Sequence, residues 1–185
     1  MALSNAPFGF RPCRHLSGGD ANGTRQYPIA TGYATALFPG DPVKALTDGS
    51  IALAAAGDRI LGIFIGVQYV DSNGSQQFGH WPASTTATEI KANVVSDPNV
   101  TFEVQSGGTP AVADTFLLAD HVTGTGSAYT LNSAAYLSGT MATSNAGFRI
   151  LRIVDKPGNS GQYAVLEVQI FEHEYNRDDA ATPGV

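Results

Sequence analysis

The chain has 185 residues, of which 43% are hydrophobic and 14% charged, and its net charge is -6 at neutral pH. This length suits one ordinary domain, and the apolar share excludes a mostly disordered chain. The acidic balance argues against binding driven by nucleic-acid phosphate, because few cations are present to displace its counterions.

A single cysteine, Cys13, excludes an internal disulfide and reads as a small packed apolar residue. The opening MALSNAPFGFRPCRH lacks the basic region and apolar run of a signal peptide. No stretch has the length of a transmembrane helix, so a soluble protein made in a cytoplasm is expected.

Residues 1–24 carry Pro7, Pro12 and the cluster SGGDANGT, and they interleave Phe8, Phe10, Arg11, Arg14 and His15 without periodicity. They read as an extended N-terminal arm that docks on a neighbour, since rings bury area and guanidinium forks pair with carboxylates. Residues 25–176 read as one β-domain, in which short apolar runs alternate with turn signals. YPIA, ATALF and VKAL lead to turns at Pro39-Gly40 and Asp48-Gly49, followed by SIALAA and the long run ILGIFIGVQYV. After a turn at DSNG come ATEIKANVV, the turn SDPN, VTFEVQ, ADTFLLAD, SAYTL, GFRILRIV, the turn KPGNSG and YAVLEVQIFEHEY. No helical repeat of apolar residues recurs over three turns. Residues 177–185 read as a flexible tail.

The expected fold is all-β, a compact antiparallel barrel or jelly-roll-like sandwich. In YAVLEVQI, Ala164, Leu166, Val168 and Ile170 share the core face, leaving Tyr163, Glu167 and Gln169 on a solvated one. In ILGIFIGVQYV both faces are apolar, and Gly62 and Gly66 mark a bend or a close backbone approach. AAGDRILGI and NAGFRILRI share the pattern AG-x-RIL-x-I, as two pseudo-symmetric halves or chance convergence would give.

Chemistry is sparse. FPGDPVKALTDG resembles a phosphate loop, but Lys44 follows Pro42 inside a strand-like run and no helix follows, so its glycines read as turns. His15, His80, His121 and His173 are scattered without metal-ligand spacing, and the EHE cluster reads as a solvated strand end. No GxSxG elbow is present. Trp81, in FGHWPASTT, is the candidate interface aromatic, a plug for a barrel end or, if exposed, a platform for stacking on sugars.

The order GDPVK, DGSI, AGDRILGIFIGV resembles virion decoration (cement) proteins of tailed bacteriophages, with their theme G-D-x-V, D-G, G-x-x-x-G-V. The resemblance spans residues 1–70. It implies a non-enzymatic virion protein, without catalytic, cofactor or metal site, on the capsid exterior. Its implied partners are the major capsid protein and neighbouring copies of itself, as a homotrimer or homodimer, with no nucleic acid and no membrane. Phe8, Phe10, Arg11 and Arg14 are then the arm residues expected to contact capsid subunits. A head-fibre or tail component, a carbohydrate-binding β-sandwich module using Trp81, and a β-barrel enzyme using His121 or His173 are the alternatives.

Overall fold

The structure is a computed structural model that describes residues 3–21 and 23–175. The expected tail at 177–185 lies outside the described residues. The strands are β1 (Arg11–His15), β2 (Arg25–Tyr27), β3 (Pro42–Ala45), β4 (Ile51–Leu53), β5 (Gly62–Asp71), β6 (Gln76–Gly79) and β7 (Ala87–Val95). They continue as β8 (Val100–Gln105), β9 (Leu118–Ala119), β10 (His121–Val122), β11 (Tyr136–Leu137), β12 (Phe148–Ile153) and β13 (Val165–Ile170). One five-stranded sheet has the order β1-β8-β13-β12-β9, and a second runs β2-β7-β5-β3-β4 with β6 also on β5. All pairings between named strands are antiparallel. The fold is all-β as expected, and it is a sandwich of open sheets, not a closed barrel.

Two apolar clusters hold these layers together. Between the sheets lie Ile63 and Val95 from one side and Phe102, Phe148, Ile150, Leu166 and Val168 from the other. A second cluster fills the far face of the six-stranded sheet, where Phe64, Val67, Tyr69 and Val94 are covered by Ile29, Leu37 and Trp81. Leu37 and Trp81 exchange backbone hydrogen bonds of 3.0 and 2.8 Å, so the chain around them forms a lid. The first part of β5 is therefore covered on both faces, which is why Ile63, Phe64, Ile65 and Val67 are apolar on both parities.

The two glycines of β5 act differently. A Cβ at Gly62 would collide with the Val95 carbonyl oxygen, so this position is a close backbone approach. Near Gly66 the pairing with β7 shifts register between Phe64 and Gly66. That bulge brings Phe64 and then Val67 and Tyr69 onto one face although their parity differs. The expected turns form as read: Asp48 accepts from the backbone N–H and hydroxyl of Ser50 at 2.9 and 2.7 Å, and Gly49 takes φ +81°. Lys44 is paired with Asp58 at 2.9 Å, as befits a strand residue beside a turn.

SAYTL forms no strand, and ATALF contributes a bridge at Leu37 alone. The two RIL segments belong to different sheets yet meet at one place. Phe171 N–H donates to Gly147 O, Ile60 N–H donates to Glu172 O, and Ile60 Cδ1 would lie 2.8 Å from a Cβ on Gly147.

Residues 4–15, expected as part of an extended arm, lie against the sandwich. Ser4 and Ala6 bond the Gln105 side chain, Phe10 enters the core, and residues 11–15 are an edge strand on β8. The change of course happens at Gly9. Gly9 N–H donates to Ala135 O, Phe10 N–H to Gly40 O and Ser133 N–H to Pro39 O, at 3.1, 2.9 and 3.0 Å. Buried Asp41 completes the crossing, accepting from Ser133 Oγ at 2.5 Å and from the Phe38 backbone at 2.8 Å. Burial pushes the Asp41 carboxyl above its usual pKa, while the Ser133 and Phe38 bonds act to restrain the rise. Gly9 has φ +78°, and a Cβ there would lie 2.8 Å from Ser133 Cβ and 2.9 Å from Gly40 Cα. Gly9→Ala is therefore expected to cost about 2–4 kcal/mol, combining backbone strain with overpacking. Gly49→Ala, at a similar φ with open space around it, is expected to cost about 1 kcal/mol. Urea denaturation of the two variants measures the difference.

Candidate interaction surface

The structure places four of the residues singled out from the sequence in the interior. Phe10 is stacked on Phe148 with ring centroids 4.3 Å apart and is 1% exposed, so it is a core residue and not a contact for a neighbour. Trp81 is 0% exposed and packs edge-to-face on Tyr69 at 5.2 Å, so it is neither a sugar platform nor an interface aromatic. Its pairing with Leu37 turns the indole down onto the sheet. His121 is buried, with Nε2 2.9 Å from the Ala54 carbonyl oxygen, while neighbouring Asp120 accepts the Gly147 N–H at 2.9 Å. His173 is likewise buried, not at a solvated strand end, because Ile60 pairs with it in a parallel bridge.

Among the described residues no three His, Cys, Asp or Glu side chains lie close enough together to hold a metal ion. A cleft of about 350 Å³ is lined by Arg25, Asp97, Ser96 and Tyr175, with the Arg25 guanidinium 5.8 Å from the Tyr175 ring centre. No helix among the described residues is long and apolar enough to cross a membrane.

His173 is held neutral. Burial lowers its pKa from 6.5 to about 4, against opposing pulls from Asp97 and Ser96, and its Nδ1 accepts the Tyr175 N–H at 3.0 Å. With the folded value below the unfolded one, the unfolded chain binds the proton first. Stability is therefore expected to fall as pH drops from 6.5 toward 4, by about 3 kcal/mol from this residue. His173→Gln should flatten that part of a stability-against-pH curve.

Charge collects on the outer face of the five-stranded sheet. Cross-strand register sets two rows of side chains there: Arg11, Glu103, Glu167, Arg152, and Arg14, Thr101, Gln169, Arg149. Each row crosses four strands, roughly 14 Å at strand spacing. An arginine stands at every end. Arg11 lies over the Phe8 ring and Arg149 over the Phe171 ring, both at 4.4 Å, contacts that restrain the two guanidinium groups. Lys156 joins the face by a 2.8 Å contact to Glu103.

Glu103 and Glu167 are directly opposed on β8 and β13, an arrangement that repels unless compensated. Glu167 is buried beneath Arg152 and Arg14, whose Nε atoms lie 2.6 and 3.4 Å away, and it accepts the Thr101 hydroxyl at 2.8 Å. Burial alone would raise its pKa, but the Thr101 bond and the two arginines outweigh this and hold it below the usual value of 4.5. The resulting stabilisation is present above pH 4.5 and lost as pH falls through the lower folded value. Glu167→Gln is expected to destabilise by about 3 kcal/mol, since it leaves two arginines without their shared carboxylate, and to remove this acid-sensitive component. Thermal unfolding at pH 7 and pH 3.5 measures both effects.

Sequence reading found Arg11 and Arg14 and missed Arg149, Arg152, Lys156, Glu103 and Glu167. In both arginine pairs the partners are three residues apart, which in a regular strand places them on opposite faces. A register shift lies between Pro12 and Arg14 and another between Ile150 and Arg152, returning each pair to one face. Cys13, at the first of these bulges, is half-buried and its Sγ lies 3.9 Å from Glu103. In comparisons with protein-family models, curated proteins and solved structures, the chain matches none.

Proposed function

We propose that the protein is a structural decoration protein of a tailed-bacteriophage virion, non-enzymatic, that binds the capsid exterior and bridges capsid subunits. The observation that carries this reading is an open sheet face bearing guanidinium groups, two of them held over aromatic rings, on an otherwise acidic molecule. An open, charged face of this kind suits docking on another protein surface better than enclosing a small substrate, for which an apolar concavity is the usual form. The order GDPVK, DGSI and AGDRILGIFIGV supports the same reading, as do Arg11 and Arg14 on that face. Large exposed side chains on loops, Val112 at 82%, Phe116 at 71% and Tyr129 at 96%, supply further contact area for the capsid or for neighbouring copies in a dimer or trimer. The carbohydrate-binding reading loses its basis with Trp81 in the core.

Binding to the assembled shell and not to free subunits would stabilise the shell by mass action. Deleting residues 1–18 would strip β1 and Phe10 from the sandwich, so the test rests on the intact chain. Purified protein added to empty expanded heads of the phage that encodes it is expected to cosediment with them saturably and to raise their rupture temperature. Absence of binding to such heads overturns the proposal.

A further inference from the structure

We infer that the outer face of the five-stranded sheet recognises a carboxylate-rich protein surface, with Arg11, Arg14, Arg149, Arg152 and Lys156 as the contacting cations. This rests on the docking role proposed above and names the chemistry of its partner. The face holds five cations against the two carboxylates Glu103 and Glu167, which leaves the rest of the chain with five cations and fourteen carboxylates. Neutralising the internal acidic pair needs two cations; the face carries a surplus. Arg14 and Arg152 reach Glu167 through Nε, and their side chains remain 52% and 46% exposed, so their outer nitrogens extend toward solvent. Arginine is the suitable residue for this, because its planar fork pairs a carboxylate through two parallel bonds. Stacking on Phe8 and Phe171 removes part of the ordering cost for Arg11 and Arg149 before a partner arrives. An acidic partner would meet a positive face while the remaining surface repels it, which selects one orientation of approach.

The test begins with a carboxymethyl cation-exchange resin and poly-glutamate at pH 7 and low ionic strength. Despite its net charge of -6, the protein is expected to be retained by the resin and released by salt. The double substitution Arg11→Glu/Arg149→Glu reverses two cations while leaving Arg14 and Arg152 on Glu167, and a matched denaturation midpoint checks that it folds. It is expected to flow through and to bind poly-glutamate about tenfold more weakly, the effect of turning two exposed pairings repulsive. Arg25→Glu/Lys91→Glu, on the other sheet, makes the same change in net charge and should leave retention intact.

Equal loss in both double variants would overturn the inference, since net charge and not the face would then govern binding. Tighter binding to duplex DNA than to poly-glutamate at the same ionic strength would overturn the partner class. So would low-salt self-association abolished by Arg11→Glu/Arg149→Glu, which would make a second copy the occupant. Head binding separates the two levels. Retention as expected without head binding sinks decoration alone, whereas equal head binding by wild type and Arg11→Glu/Arg149→Glu sinks the face alone.

Discussion

Where Gly9 crosses Gly40, two backbones pass with no side chain between them, and the connection between the N-terminal segment and the sandwich depends on that contact. The bonds from Gly9 to Ala135, Phe10 to Gly40 and Ser133 to Pro39 tie three distant parts of the chain at one point. Asp41 stands beneath them as a buried acceptor, and its desolvation is offset only in part by the Ser133 hydroxyl and the Phe38 amide. From this crossing Phe10 enters the space between the sheets and β1 reaches the edge of β8. The arginines of β1 owe their place on the outer face to the same crossing. A stretch that looks like a nucleotide loop thus holds a joint, and its glycines are needed for proximity.

The sandwich keeps its two sheets distinct by what covers each. The six-stranded sheet is covered on both faces around β5, on one by its partner sheet and on the other by the lid formed by Leu37 and Trp81. The five-stranded sheet leaves its outer face open and fills it with charge. Glu103 and Glu167 would repel across β8 and β13, and the surrounding cations convert that pair into a positive surface.

Much of the fold was legible in the sequence because turn chemistry and alternation act locally. ATEIKANVV and VTFEVQ coincide with β7 and β8, and Asp48-Gly49 turns as its residue types dictate. What stayed hidden depends on bulges and distant contacts. Phe64 and Val67 differ in parity yet share a face, Glu167 lies on the solvated side of its strand yet is buried under two arginines, and Trp81 is covered by partners far away in sequence. The candidate face was legible in half: Arg11 and Arg14 stood out beside aromatic rings. Arg149 and Arg152 did not, because an interval of three in a strand reads as opposite faces until a bulge restores them to one.

The edge position of β1 also bears on the order of manufacture. Cys13 and its neighbour Glu103 are 90 residues apart in the chain. At about 5–20 residues per second, a ribosome needs roughly 5–18 seconds to make the intervening stretch. During that interval the β3–β5 region already has its mutual partners, while Phe10 waits for Phe148, made later still. The strand synthesised first is therefore among the last to be seated. Its connection to β2 carries Gly18, Gly19 and Gly23, residue types that restrict the backbone least while the strand waits.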